Sequence, residues 1–120
     1  MSDVESVKAL DASIIEGINA KDAGMATAAY AEDGALMPPG APTMSGHAAI
    51  REYWQAAIDG GLENVLANPT AAHVSEDIAV TMGTLTGSMG GQELAGKYVL
   101  YFRKGNDGWK VQRDIWNFDA

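Results

Sequence analysis

The chain has no cysteine, so disulfides, thiol catalysis and zinc–thiolate sites are all excluded. Histidine is nearly absent too: His47 and His73 are the only two. They stand far apart, with no HxxxH spacing and no tight acidic cluster around them, which argues against a metal site. Basic residues are few. Eight lysines and arginines face 16 acidic residues, for a net charge of −8. With no basic cluster in the sequence, a phosphate backbone or an anionic lipid surface would repel this chain, so neither nucleic acid nor membrane is an expected partner. No apolar run approaches the ~20 residues of a membrane helix. The first residues carry no positive segment before an apolar one, so no signal peptide is read and the cytoplasm is the expected location. No GxGxxG follows a strand, there is no P-loop, and Ser45 lacks the GxSxG frame of a nucleophile elbow. No cofactor is therefore expected.

What is present is a folding composition. Of 120 residues, 47% are hydrophobic and 20% charged. That fits one globular domain, taken as residues 1–120. Val4, Val7, Leu10, Ile14 and Ile18 recur at spacings of three and four and predict a first helix. Ser2 with Glu5 has the form of a capping box. Gly17 marks either the end of that helix or a close backbone approach. Asp22 caps an expected short helix from Ala23 to Ala31. Ala35–Met37 reads as a short strand stopped by Pro38 and Pro39, and Pro38–Met44 as a loop. Ser45 and Gly46 open a third helix, with Ile50, Trp54 and Ile58 along one face and Asp59-Gly60-Gly61 at its end.

Beyond Gly61 the pattern changes to strands. Ala71–Ser75, Ile78–Ser88, Glu93–Lys104 and Trp109–Phe118 are separated by turn residues, and Leu62–Ala67 is read as a further strand before Pro69. Helices first and a meander afterwards predict an α+β fold. The expected architecture is three helices on the concave face of a strongly curved antiparallel sheet, enclosing a small apolar pocket.

Three segments carry a family resemblance. They are Tyr30-Ala31-Glu32-Asp33-Gly34-Ala35-Leu36-Met37, Met44-Ser45-Gly46-His47-Ala48-Ala49-Ile50-Arg51, and the terminal hairpin with Gly96-Lys97-Tyr98, Trp109-Lys110-Val111 and Asp114-Ile115-Trp116-Asn117. In this order they resemble the SnoaL-like and ketosteroid-isomerase-like branch of the nuclear-transport-factor-like superfamily. The resemblance implies a cone-shaped, cystatin-like fold. It also implies a hydrophobic pocket for a small molecule and pairing of two copies through the outer face of the sheet. The chemistry it implies ranges over cofactor-free isomerisation, cyclisation and dehydration, beside non-catalytic ligand-binding or dimerisation modules, so fold does not choose among them.

The candidate site follows from residue chemistry. Asp114 lies in the last strand, two residues from Trp116. Facing inward, it would be a carboxyl beside an indole with little water, the setting that raises a carboxyl pKa and makes a general base or acid. Facing outward, it would pair with Arg113, Lys97 or a helix end. A bulge near Arg113 decides which. Asn117 and Tyr98 are the candidates to polarise a substrate carbonyl, and Asn117 equally could tie down the last strand. Met37, Trp54, His73 and Trp116 are the candidate substrate contacts, with Met44 beside Met37. Ketosteroid isomerases carry their donor tyrosine on helix 1, where this chain has none and an aliphatic inward stripe is expected. For dimerisation, Ile78, Val80 and Met82 alternate onto one strand face, leaving apolar groups on both sides of the sheet.

Overall fold

A computed structural model describes residues 2–119. Met1 and Ala120, the ends of the expected domain, lie outside that range. Helix α1 (Asp3–Asn19) starts where expected, with the Ser2 hydroxyl accepting from the Glu5 amide at 3.1 Å. It runs to Asn19, and Gly17 is a point of close approach rather than its end. A Cβ on Gly17 would sit 2.4 Å from the Ala26 backbone nitrogen. The missing side chain is what lets α2 (Ala23–Thr27) cross α1. Asp22 caps α2 by accepting from the Met25 amide at 3.0 Å.

The short helix stops earlier than the expected Ala31. Tyr30 already belongs to strand β1 (Tyr30–Met37). After a two-residue strand β2 (Met44–Ser45), helix α3 (His47–Asp59) presents Ile50, Trp54 and Ile58 to the core. Strands β3 (Leu62–Ser75), β4 (Ile78–Met89), β5 (Gln92–Gly105) and β6 (Gly108–Phe118) complete the chain. The segments before and after Pro69 form one strand. It tolerates the proline because it lies at the sheet edge and its register shifts between Pro69 and Ala71.

The six strands form one open sheet in the order β2-β1-β6-β5-β4-β3. The meander β3 to β6 is antiparallel throughout, but β1 runs parallel to β6, so the sheet is mixed. The reason is topological: β1 enters beside the last strand and the rest of the chain separates the two. Three helices cover one face. Val7, Ile14 and Ile18 of α1, with Ile50 and Trp54 of α3, pack on Leu100, Phe102, Trp109 and Val111. The far end of α1 is fixed to β3, where Asn19 donates to the Val65 carbonyl at 2.8 Å and accepts from its amide at 2.9 Å. These bonds satisfy backbone groups left open where the β3–β4 register shifts between Glu63 and Leu66.

Two irregularities meet on β6. Tyr30 lies opposite Val111 and Ala35 opposite Arg113, so β1 makes a detour through Ala31–Gly34. A Cβ on Gly34 would meet the Val111 carbonyl oxygen at 2.8 Å. On the other side Tyr101 faces Arg113 and Phe102 faces Val111, which leaves Gln112 as the extra residue of a bulge. Val111 and Asp114 are therefore both buried, although three positions apart. Among the described residues no helix is long and apolar enough to cross a membrane.

Candidate functional site

The bulge at Gln112 settles the orientation of Asp114. The carboxyl points inward with Trp116, while Arg113, Ile115 and Asn117 face out. Asp114 is 6% exposed, and no salt bridge reaches it among the described residues. Its one hydrogen bond there is short: the Tyr30 hydroxyl donates to Oδ2 at 2.6 Å. Tyr30 reaches it because β1 runs alongside β6, a placement the sequence pattern missed by assigning Tyr30 to the helix.

A second carboxyl occupies the same cavity. Asp11 is 3% exposed and accepts from the Tyr98 hydroxyl at 2.8 Å. It lies four residues after Val7 and three before Ile14, squarely on the inward stripe of α1. That stripe is therefore not purely aliphatic as expected. The signal was available: an acidic residue at a core position of an amphipathic helix.

Burial pushes Asp114 up to about 7. The Asp11 charge adds to the rise, and the bond from Tyr30 opposes it. Asp11 is also raised, chiefly by burial, against the pull of the Tyr98 and Thr81 hydroxyls. Burial and the neighbouring Asp11 hold the Tyr98 hydroxyl in its protonated form. The same causes, with Asp114 in place of Asp11, act on Tyr30. Two polar atoms near this cluster, Trp54 Nε1 and Thr81 Oγ1, are buried with no well-formed hydrogen bond among the described residues.

The cavity between α1, α3 and the sheet has a volume of about 80 Å³. Asp11, Tyr98, Asp114, Trp54 and Trp116 form its polar and aromatic end, and the rest is mainly aliphatic groups such as Ile14 and Leu100, with Thr86 and Phe118. No lysine, arginine or histidine lines it. Trp54 stacks on Trp116 with ring centroids 5.5 Å apart, and Tyr53 packs edge-on against both.

Four of the seven sequence candidates, Asp114, Tyr98, Trp54 and Trp116, thus come together. The other three do not, and strand parity explains why. Asn117 pairs with Lys97 on the outer face. Met37 pairs with the outward Ile115, and His73 with the outward Val80. Met44 packs against the core edge but does not line the cavity. Tyr98 is present, yet its single hydroxyl proton is directed to Asp11 rather than into the cavity.

Of the two histidines, His47 fastens the start of α3 to the Tyr30 carbonyl, with Nε2 at 2.7 Å. Among the described residues no three histidine, aspartate or glutamate side chains are grouped to hold a metal. Arg103, Lys104, Lys110 and Arg113 do converge on one surface groove, which the sequence alone did not indicate. Glu32, Asp33 and Asp107 share that groove, so it is mixed in charge rather than basic.

The sequence profile of the SnoaL-like domain matches residues 12–113. The chain belongs to the SnoaL-like family. Solved structures agree on the fold. A ketosteroid isomerase-like protein from Erwinia carotovora atroseptica superposes with a TM-score of 0.87 at 20% identity, covering 99% of this chain and 98% of that one. A putative aromatic ring hydroxylase from Novosphingobium aromaticivorans gives 0.81 at 19% identity, over 98% and 90% of the two chains. A domain of unknown function with a cystatin-like fold from Nostoc punctiforme gives 0.87 at 16% identity, over 98% and 78%. At these identities the likeness concerns the fold alone. A comparison with curated proteins found no match. SnoaL-like membership places this chain among folds that often bind small molecules or act as isomerases and cyclases.

Proposed function

We propose that this SnoaL-like chain is a cofactor-free acid/base catalyst for a small, hydrophobic carbonyl compound, with Asp114 as the group that takes and returns the proton. One observation carries the reading: a carboxyl 6% exposed, facing an apolar cavity with no cation among the described residues to hold its charge. A buried, unpaired carboxylate costs several kcal/mol, and such cost concentrates at functional sites. A midpoint of about 7 lets Asp114 both accept and donate a proton near neutrality. Trp116 and Trp54 exclude water from it. The reaction class is proton transfer next to a carbonyl, as in isomerisation, cyclisation or dehydration.

The test needs no knowledge of the natural substrate. Small ketones and aldehydes, with and without a hydroxyl or amino substituent, are incubated with the protein in deuterated water, and loss of α-proton signal is followed by NMR. Catalysed exchange with a pH midpoint near 7, abolished by Asp114→Asn, is the expected result. Exchange that Asp114→Asn leaves intact removes Asp114 from the mechanism, and no exchange above buffer across the panel rejects catalysis.

The alternative, a non-catalytic ligand-binding or dimerisation module, also draws on a specific observation. Met37, Ile115, Val99 and Met82 are opposite one another on successive strands β1, β6, β5 and β4. All four are exposed, at 37%, 45%, 38% and 38% respectively. Polar residues border this row, with Asn117, Lys97 and Thr84 on one side. An apolar band with a polar rim supports a homodimer through the outer sheet face. Light scattering at micromolar concentration is expected to give twice the chain mass, and Val99→Glu to return it to one. A monomer mass for the unmodified protein overturns the dimer.

A further inference from the structure

The hydrogen-bonding capacity of the cavity is weighted towards acceptors. Tyr98 has one hydroxyl proton, and it goes to Asp11; Tyr30 has one, and it goes to Asp114. What remains at the polar end is a set of lone pairs on two carboxyl groups and a tyrosine oxygen, beside the Trp116 indole N–H, a neutral donor with no hydrogen bond among the described residues. Trp54 Nε1 and Thr81 Oγ1 are donors without a well-formed hydrogen bond among the described residues, but both are sealed within the protein and do not reach the cavity surface. No cationic side chain lines the space. A ligand that only accepts hydrogen bonds finds only neutral donors such as the Trp116 N–H while both carboxyls are ionised, and an anion meets two like charges in a poorly hydrated space.

We propose that the cavity selects a ligand by its hydrogen-bond donor, a hydroxyl or ammonium group directed at Asp11 and Asp114, and rejects anions. Asp11 is then a specificity-determining residue. Combined with the proton-transfer reading, on which this extension rests only for the carbonyl, the substrate class becomes a hydroxy- or amino-substituted carbonyl compound. The donor anchors at Asp11, and the carbon to be deprotonated faces Asp114. The stacked Trp54 and Trp116 suit either head group, since an ammonium near an indole face gains a cation–π attraction. A keto acid, an acyl phosphate or any other substrate with an anionic end is excluded.

The groups that face Asp114 come from four elements: Asp11 of α1, Tyr30 of β1, Tyr53 of α3 and Tyr98 of β5. Only the two carboxyls change charge below the tyrosine range, so the pH response is theirs. As Asp114 takes up a proton it gains an O–H that can donate to a carbonyl, and the selectivity softens.

Isopropylammonium, propan-2-ol, acetone and acetate are nearly isosteric and small enough for a cavity of about 80 Å³. Their binding to the unmodified protein is read from amide and indole NMR shifts at about pH 8.5 and about pH 5.5. At the higher pH the ammonium and the alcohol are expected to bind best. Acetone is expected to be weaker by roughly tenfold, the scale of one lost hydrogen bond, and acetate weakest. At the lower pH acetone gains on the alcohol. Asp11→Asn supplies an amide donor, so acetone and acetate both gain on the ammonium; if that variant does not fold, the order in the unmodified protein decides. Acetate or acetone binding as well as the ammonium at the higher pH overturns the proposal, as does the absence of any shift at cavity residues. The binding order stands or falls without turnover, so failure of the exchange experiment and failure of this one are distinguishable.

Discussion

Replacing Asp114 with asparagine tests the energetic core of the argument without any ligand. In the native state the carboxyl titrates at about 7, raised from 3.8. Its folded pKa lies above the unfolded value, so between about pH 4 and pH 7 the native state holds a proton that the unfolded chain has released. Stability contributed by the protonated group is therefore complete below the unfolded pKa and lost as pH rises through the folded one. A difference of roughly three units at ~1.4 kcal/mol each caps the loss at about 4 kcal/mol. Coupling to Asp11 spreads part of it over both carboxyls. Asparagine keeps the shape, and its side-chain oxygen can still accept from Tyr30. Asp114→Asn is expected to be more stable than the parent by about 2 kcal/mol or more at about pH 8, with the gap closing towards pH 4. Urea unfolding across that range measures it. A gap that does not change with pH, or a variant less stable at pH 8, refutes the claim that an unpaired charge is buried here.

Other substitutions probe what positions the site. Gly17→Ala gains about 1 kcal/mol of helix propensity but drives a methyl into the Ala26 backbone. A net loss of at least ~2 kcal/mol is expected in urea unfolding, and a neutral result shows that α2 can shift at little cost. Asn19→Ala removes both bonds to Val65 and should lower stability by about 2 kcal/mol, with amide exchange at Val65 rising first. Deleting Gln112 removes the extra residue of the bulge and leaves Asp114 in phase with Val111, so an NMR titration should still find its midpoint near 7. A midpoint in the ordinary carboxylate range shows that the deletion turned the side chain out.

Much of the fold was legible because local signals and burial agree. Ser2 and Asp22 cap the helices they precede, and the meander strands alternate as read. The parallel pairing of β1 with β6 was not legible, since no local pattern records which strand a short segment joins. Tyr30 was misassigned for the same reason: an alanine-rich run favours helix, and only the partner strand makes it extended. The site was half legible. Asp114 and its indole neighbours stand out as a charge among large apolar groups. Asn117, Met37 and His73 have suitable chemistry, but strand parity puts them outside. Asp11 was the opposite case, its parity plain and its charge passed over.

The irregularities of β1, β6 and β5 lie at one level of the sheet, around Val111 and Arg113. They form a seam that divides the protein into a solid half and a hollow one. On one side Tyr30, Phe102, Trp109 and Val111 fill their space almost completely, at 6% exposure or less. On the other, Tyr98, Asp114 and Trp116 surround an opening. Because each half keeps its own alternation, residues can be exchanged on the hollow side without disturbing the phase of the solid one. The molecule is in effect a fixed plinth carrying a replaceable cup, tied together at the Tyr30–Asp114 hydrogen bond, and away from Asp114 changes in what the cup accepts need not be matched by repairs to the plinth.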